Sequence, residues 1–193
     1  MPIRLNRAIT MAVAISLSPV SVSNLMAFGS KEKSPEEQAS DSRKHAVVVY
    51  NSGVKHMEAA RAIGRQTDSL FAYNYRATTD VRAKKEFEKA VSDFKKATAL
   101  DPDLAEAYNN LGYSYRKLGQ LNESLDAYAK AITLNNNFAQ AHEYRGETYL
   151  AMGDLAKAQE DLSFLNQIKS PYADTLARSI EAFQLQKFVK PEK

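Results

Sequence analysis

The sequence predicts an all-α chain of about three antiparallel helix hairpins stacked in series and closed by a further helix. The main observation is an internal period of 34. At that offset Ala105 meets Ala139, Ala107 meets Ala141, Gly112 meets Gly146, Tyr115 meets Tyr149 and Leu121 meets Leu155. The same register runs backwards through Phe87, Leu121 and Leu155, through Ala90, Ser124 and Ala158, and through Phe94, Tyr128 and Leu162. The second observation is helical spacing within a unit. Tyr108, Leu111, Gly112 and Tyr115 fall at i, i+3, i+4 and i+7, and Leu121, Ser124, Leu125, Tyr128, Ala131 and Ile132 continue the pattern. Gly119 between the two runs marks a turn, so each unit reads as helix, turn and antiparallel helix.

Taken in order, the chain opens on Arg4 and Arg7 with no acid, then runs uncharged from Ala8 to Val22. A basic start followed by a short apolar run, broken by Pro19, is the layout of a secretory signal. The run is too short for a comfortable membrane span. Residues 1–27 are therefore expected to be a cleaved signal, cut after Ala27 or Gly29, and no stable membrane span is expected afterwards. Residues 28–44 are polar enough to be read as a disordered, solvated linker.

Residues 45–104 form the first unit. A helix through Val47, Tyr50, Gly53, Val54 and Met57 is separated from Phe87 by extra residues containing no proline. The expected result is a lengthened hairpin with its tip at residues 66–80, where Phe71, Tyr73 and Tyr75 lie. Residues 105–138 and 139–170 are the second and third units. Ser170-Pro171 opens a capping helix over 171–188, with an apolar stripe of Leu176, Ile180 and Phe183 and with Arg178 and Glu181 opposite. Residues 189–193 are a basic tail.

Tyr108, Leu111-Gly112, Tyr115, Ser124 and Tyr128, preceded by Ala90, Phe94, Ala97 and Asp101-Pro102, resemble the tetratricopeptide repeat (TPR) family over about two thirds of the chain. The resemblance implies a right-handed solenoid whose first helices line a concave groove for peptides or partner helices. The last unit departs from the pattern. His142 holds the aromatic slot, Arg145 replaces Leu, and the late proline is shifted to Pro171. These departures suit a terminal repeat with one side partly solvated.

Catalytic chemistry is not expected. With no cysteine there is no disulfide framework, thiol nucleophile or Cys-ligated metal. His45, His56 and His142 lack metal-ligand spacing, and phosphate loops and Gly-x-Ser-x-Gly elbows are missing. No cofactor or metal is expected. Lys+Arg 26 against Asp+Glu 23 gives a net charge of +3, which argues against a nucleic-acid partner. Loss of Arg4 and Arg7 with the signal brings the chain still closer to neutrality.

The wheel positions opposite Tyr108 and Leu111 give the candidate partner-binding set: Glu106, Asn109, Asn110, Tyr113 and Lys117 in the second unit and Gln140, Tyr144 and Glu147 in the third. Tyr50, Val54 and Met57 project similarly from the first helix. Aromatic and amide groups are useful contacts because they join apolar area to hydrogen bonding. Some members of the family clamp chaperone C-terminal carboxylates with Lys, Asn and Arg. Asn110 occupies the place of one clamp residue, but Tyr50, Val54, Gln140 and Tyr144 stand where the others would be, so that activity is not expected.

The expectation is a periplasmic or secreted bacterial scaffold that binds a protein or peptide in cell-envelope assembly. A structural subunit self-associating through the long first hairpin or the solenoid ends, and hence a homo-oligomer, is the competing reading.

Overall fold

The computed structural model describes residues 33–67 and 77–189, and the described residues are all-α. Seven helices follow one another: α1 (Pro35–Thr67), α2 (Val81–Leu100), α3 (Ala105–Lys117), α4 (Leu121–Leu134), α5 (Ala139–Met152), α6 (Leu155–Gln167) and α7 (Tyr172–Val189). They pack as the hairpins α1/α2, α3/α4 and α5/α6, each against the next, with α7 lying on α5 and α6. Among the described residues no helix is long and apolar enough to cross a membrane.

The small residues of the repeat let the helices close on one another. Ala90, Ser124 and Ala158 share one repeat position and are all fully buried. A Cβ added at Gly112 would lie 2.7 Å from the Tyr128 ring, so the bare backbone of α3 admits the aromatic of α4. The third unit uses the position differently: at Gly146 the side chain in the notch is Leu176 of α7. Leu176 is fully buried and Ile180 is 6% exposed, while Arg178 and Glu181 face solvent. The last helix thus covers the apolar end of the stack.

The first unit departs from the polar-linker reading of residues 28–44, because α1 already begins at Pro35. The cause is a capping box. The Glu37 amide donates to Ser34 Oγ at 3.2 Å, and the Ser34 amide donates to Glu37 Oε2 at 3.0 Å. Pro35 fits the first helical position, and Glu36 and Glu37 favour the positive end of the helix dipole. Residues 35–40 are exposed throughout, so cap and continuity with the packed half hold this start rather than burial. At the other end the hairpin is long: α1 runs to Thr67 and α2 restarts at Val81 under a cap in which Asp80 Oδ1 accepts the amides of Arg82 (2.7 Å) and Ala83 (3.2 Å). The two helices are tied by His56 Nδ1 and Glu86 Oε2 at 2.7 Å. Phe71, Tyr73 and Tyr75 lie outside the described residues, as do the signal and most of the residues up to Ser34.

His142 and Arg145, the departures of the third unit, belong together. Arg145 donates to both oxygens of Asp161 on α6, at 2.6 and 3.0 Å, and His142 Nδ1 lies 2.8 Å from Asp161 Oδ1. The imidazole stacks on Phe164 with ring centroids 4.0 Å apart. Asp161 is 2% exposed and His142 6%. A buried charge is tolerated only when paired and hydrogen-bonded, and here the repeat exchanges an apolar contact for an ion cluster.

Candidate functional site

The first helices of the three hairpins, α1, α3 and α5, carry the candidate residues on one face, and a ladder of side-chain hydrogen bonds runs across them. Asn110 Nδ2 donates to the Tyr50 hydroxyl at 3.1 Å, joining α3 to α1. Asn109 Nδ2 donates to Asn110 Oδ1 at 3.3 Å and to Gln140 Oε1 at 3.2 Å, joining α3 to α5. Gln140 Nε2 then donates to the Tyr144 hydroxyl at 3.3 Å. Five of the candidates are thus one hydrogen-bonded set. Tyr50, Asn110, Gln140 and Tyr144 are half-buried, as is Val54, and Glu106 beside them is exposed. Burial, the nearby Glu106 charge adding to it, holds the Tyr50 hydroxyl above its ordinary pKa.

The remaining candidates are closed to solvent, contrary to the open groove the sequence suggested. Met57 and Tyr113 join the apolar core with Phe87 and Leu111. Lys117 and Glu147 are 1% and 3% exposed, and within the ladder Asn109 is 1% exposed. The wheel placed these residues on one face but said nothing of what covers it. Two chain segments contribute. Arg61, on the extended part of α1, sets its guanidinium 5.3 Å from the Tyr113 centroid. From the returning segment, the Thr78 amide donates to the Lys117 carbonyl at 2.9 Å.

The covered half is a charge cluster. Arg116 Nη2 lies 2.7 Å from Glu147 Oε2, and Ser179 of α7 donates to Glu147 Oε1 at 3.1 Å. The Arg116 guanidinium also stands over the rings of Tyr113 (5.3 Å) and Tyr144 (5.6 Å), and Lys117 Nζ is 5.8 Å from the Tyr113 centroid. Three cations therefore surround the Tyr113 ring. Burial works against the Arg116 charge, but Glu147 with Tyr128 and Tyr113 outweighs it and raises the pKa. Burial, reinforced by Glu147, pushes the Glu143 carboxyl up to about 8, and burial with Glu143 pushes Tyr144 up to about 12. Arg116 and Glu143 escaped the sequence reading. The signal was available for Arg116, since Asn109, Tyr113 and Arg116 fall at i, i+4 and i+7.

This arrangement brings hydrogen-bond donors, acceptors and aromatic rings together along the first helices. Among the described residues no group of three or more His, Asp or Glu is placed to hold a metal ion.

Comparison with known proteins gives a family and a solved structure to which the chain is similar. A family model described as TPR repeat matches residues 81–119 and 112–153. Among solved structures, the N-terminal domain of stress-induced protein-1 (STI-1) from C. elegans is similar at 20% sequence identity and a TM-score of 0.45, over 70% of this chain and 97% of that one. No curated protein sequence matches the chain. Residues 81–153, spanning α2 to α5, are tetratricopeptide repeats on an all-α framework.

Proposed function

We propose that the chain is an exported scaffold or adaptor that binds a protein or peptide partner on the face made by α1, α3 and α5, and that it serves in assembly of a bacterial cell envelope. The observation that carries the binding reading is the ladder from Tyr50 through Asn110, Asn109 and Gln140 to Tyr144. It fixes amide and phenol groups on three successive helices, half-buried at Tyr50, Asn110, Gln140 and Tyr144 and fully buried at Asn109. Such groups can exchange hydrogen bonds with the N–H and C=O groups of an extended peptide. Asn109 Oδ1 is buried with no donor among the described residues, and a partner N–H would satisfy it. Glu106 at the open edge, with no cation among these ladder residues, selects a neutral or basic segment over an acidic one. Repeats of this kind are platforms whose specificity resides in such positions.

Export is supported by the basic start and uncharged run at residues 1–22. The test is partner recovery from a periplasmic extract by the full-length protein, repeated with Gln140→Ala and Glu106→Lys. Both variants retain the thermal midpoint within a few degrees and lose about tenfold of recovery; unchanged recovery in both overturns the site. Fractionation with N-terminal sequencing tests export separately. A mature start at residue 28 or 30 supports it, and an intact Met1 in the cytosol refutes it.

A further inference from the structure

The exposed large apolar side chains lie toward the two ends of the stack. Among the described residues they are Val47 and Val48 on α1, Val81 at the start of α2, Met152 at the end of α5 and Leu185 on α7, with none on the middle hairpin α3/α4. Charge divides along the same line: α1 and α2 hold 11 Lys and Arg against 7 Asp and Glu, whereas α3 to α7 hold 7 against 9. We propose that copies of this chain associate head to tail, the exposed face of α7 in one copy seated against the exposed face of α1 in the next.

Each of these helices turns one stripe away from its core side. On α7, where Leu176 and Ile180 are buried, the exposed Arg178, Glu181 and Leu185 follow one another at i, i+3 and i+7. On α1, where Ala46 and Met57 are buried, Lys44 and Val48 are exposed, and half-buried Asp41 completes a stripe at the same intervals. Toward the C-terminus α1 thus presents acid, base and valine, and α7 presents base, acid and leucine. The two stripes have equal spacing and opposite charge order.

Chain direction lets the stripes meet. The short turn after α6 reverses the chain, so α7 runs the same way as α1, α3 and α5. Laid parallel, Arg178 opposes Asp41, Glu181 opposes Lys44 and Leu185 opposes Val48. Asp41 Oδ1 lies 3.6 Å from Lys44 Nζ within α1, so the arriving pair closes a ring of four alternating charges without breaking that contact. Val48 and Leu185 are 66% and 56% exposed, and their mutual burial adds apolar area beside the ring. One turn nearer the N-termini Asp174 would oppose Glu37, which confines the match to residues 41–48 and 178–185.

The two faces differ, so the contact is heterologous: each copy in a pair keeps one unused face, and association continues as a row instead of stopping at a dimer. Exposed ion pairs are individually weak, and the contact is therefore dependent on concentration and sensitive to salt. The ladder from Tyr50 to Tyr144 takes no part in it, so the proposal stands apart from the reading of that ladder as a partner site.

Sedimentation velocity of the full-length protein is the test. In low salt the average mass rises with concentration, and salt at about 0.5 M, where charges are screened beyond roughly 4 Å, weakens self-association about fivefold or more. Lys44→Glu and Glu181→Lys, both at exposed positions, each weaken it by about the same factor with circular dichroism unchanged. Mixing the two variants restores it, because the altered α1 of one then meets the altered α7 of the other and each also keeps an unaltered face. Loss in only one of the variants indicates a symmetric contact through that helix and overturns the proposal, as does a mixture that associates no better than its components. A mass of one chain at every concentration, or an association that neither salt nor either variant moves, overturns it as well. Gln140→Ala leaves self-association unchanged, so failure of the row and failure of the ladder are told apart.

Discussion

Arg116 on α3 and Glu147 on α5 face each other at 2.7 Å, with side-chain exposures of 0% and 4%. The pair links two successive hairpins through their first helices, and Ser179 extends the link to α7. Removing Glu147 alone leaves a buried guanidinium against two tyrosine rings. Glu147→Ala is therefore expected to cost about 3–5 kcal/mol. Urea unfolding with an unchanged slope measures it, and a loss below about 1 kcal/mol would show that the pair is screened after all.

The cluster of Arg145, His142 and Asp161 makes a different prediction, because the chain supplies its own apolar reference. At the 34-residue offset Arg145 and Asp161 correspond to Leu111 and Ala127, both buried in the core of the second unit. Asp161→Ala alone strands Arg145 and His142 and is expected to destabilise by on the order of 3 kcal/mol. Arg145→Leu with Asp161→Ala removes the stranded guanidinium, leaves His142 stacked on Phe164 with Nε2 3.3 Å from the Asn136 carbonyl, and is expected to recover about 2 kcal/mol of that loss. A double-mutant cycle by chemical denaturation checks the coupling; simple additivity would sink it.

These two clusters show where the sequence was readable. The fold followed from positions that must be small or large wherever they recur, such as Ala90, Ser124 and Ala158 beside Phe94 and Tyr128. Steric demands repeat with the backbone and so appear as a period. Asp161 acquires meaning only beside Arg145, 16 residues away on another helix, and no local spacing reports that contact. The start of α1 was missed for a different reason. Composition marked the tract as solvated, and residues 33–40 are exposed, while the Ser34 and Glu37 box was overlooked. The wheel picked the ladder residues, but Arg61 and Thr78, which stand against Tyr113 and Lys117, arrive from an insertion outside the repeat pattern, and Ser179, which bonds Glu147, arrives from α7.

Glu143 gives a pH dependence with a defined sign. Its carboxyl is held up to about 8 by burial and by Glu147. The folded protein thus keeps a proton that the unfolded chain releases near the ordinary carboxyl pKa of about 4.3. Stability from this group is present at low pH and falls as pH rises from about 4.5 toward 8, with a slope of at most about 1.4 kcal/mol per pH unit. Above 8 both states are ionised and the slope vanishes. Glu143→Gln mimics the protonated form, so the difference in unfolding free energy between variant and wild type should widen between pH 5 and 8. A constant difference across that range would refute the assignment.

Two glycines separate steric crowding from backbone conformation. At Gly112 an added Cβ meets the Tyr128 ring at 2.7 to 2.9 Å, and Tyr128 is fully buried and cannot swing away. Gly112→Ala must part α3 from α4 or force the ring off its rotamer, at an expected cost of about 1–3 kcal/mol. Gly153 has open space within 4 Å but a φ of +85, where it closes the C-terminus of α5 in the left-handed region. Gly153→Ala is expected to cost about 1–2 kcal/mol through the backbone alone. Asn tolerates that region better than Ala, so Gly153→Asn should recover part of the loss while Gly112→Asn should be worse than Gly112→Ala. Thermal midpoints of the four variants test the distinction: the Asn variant ranks above the Ala variant at 153 and below it at 112, and the same order at both positions would contradict it.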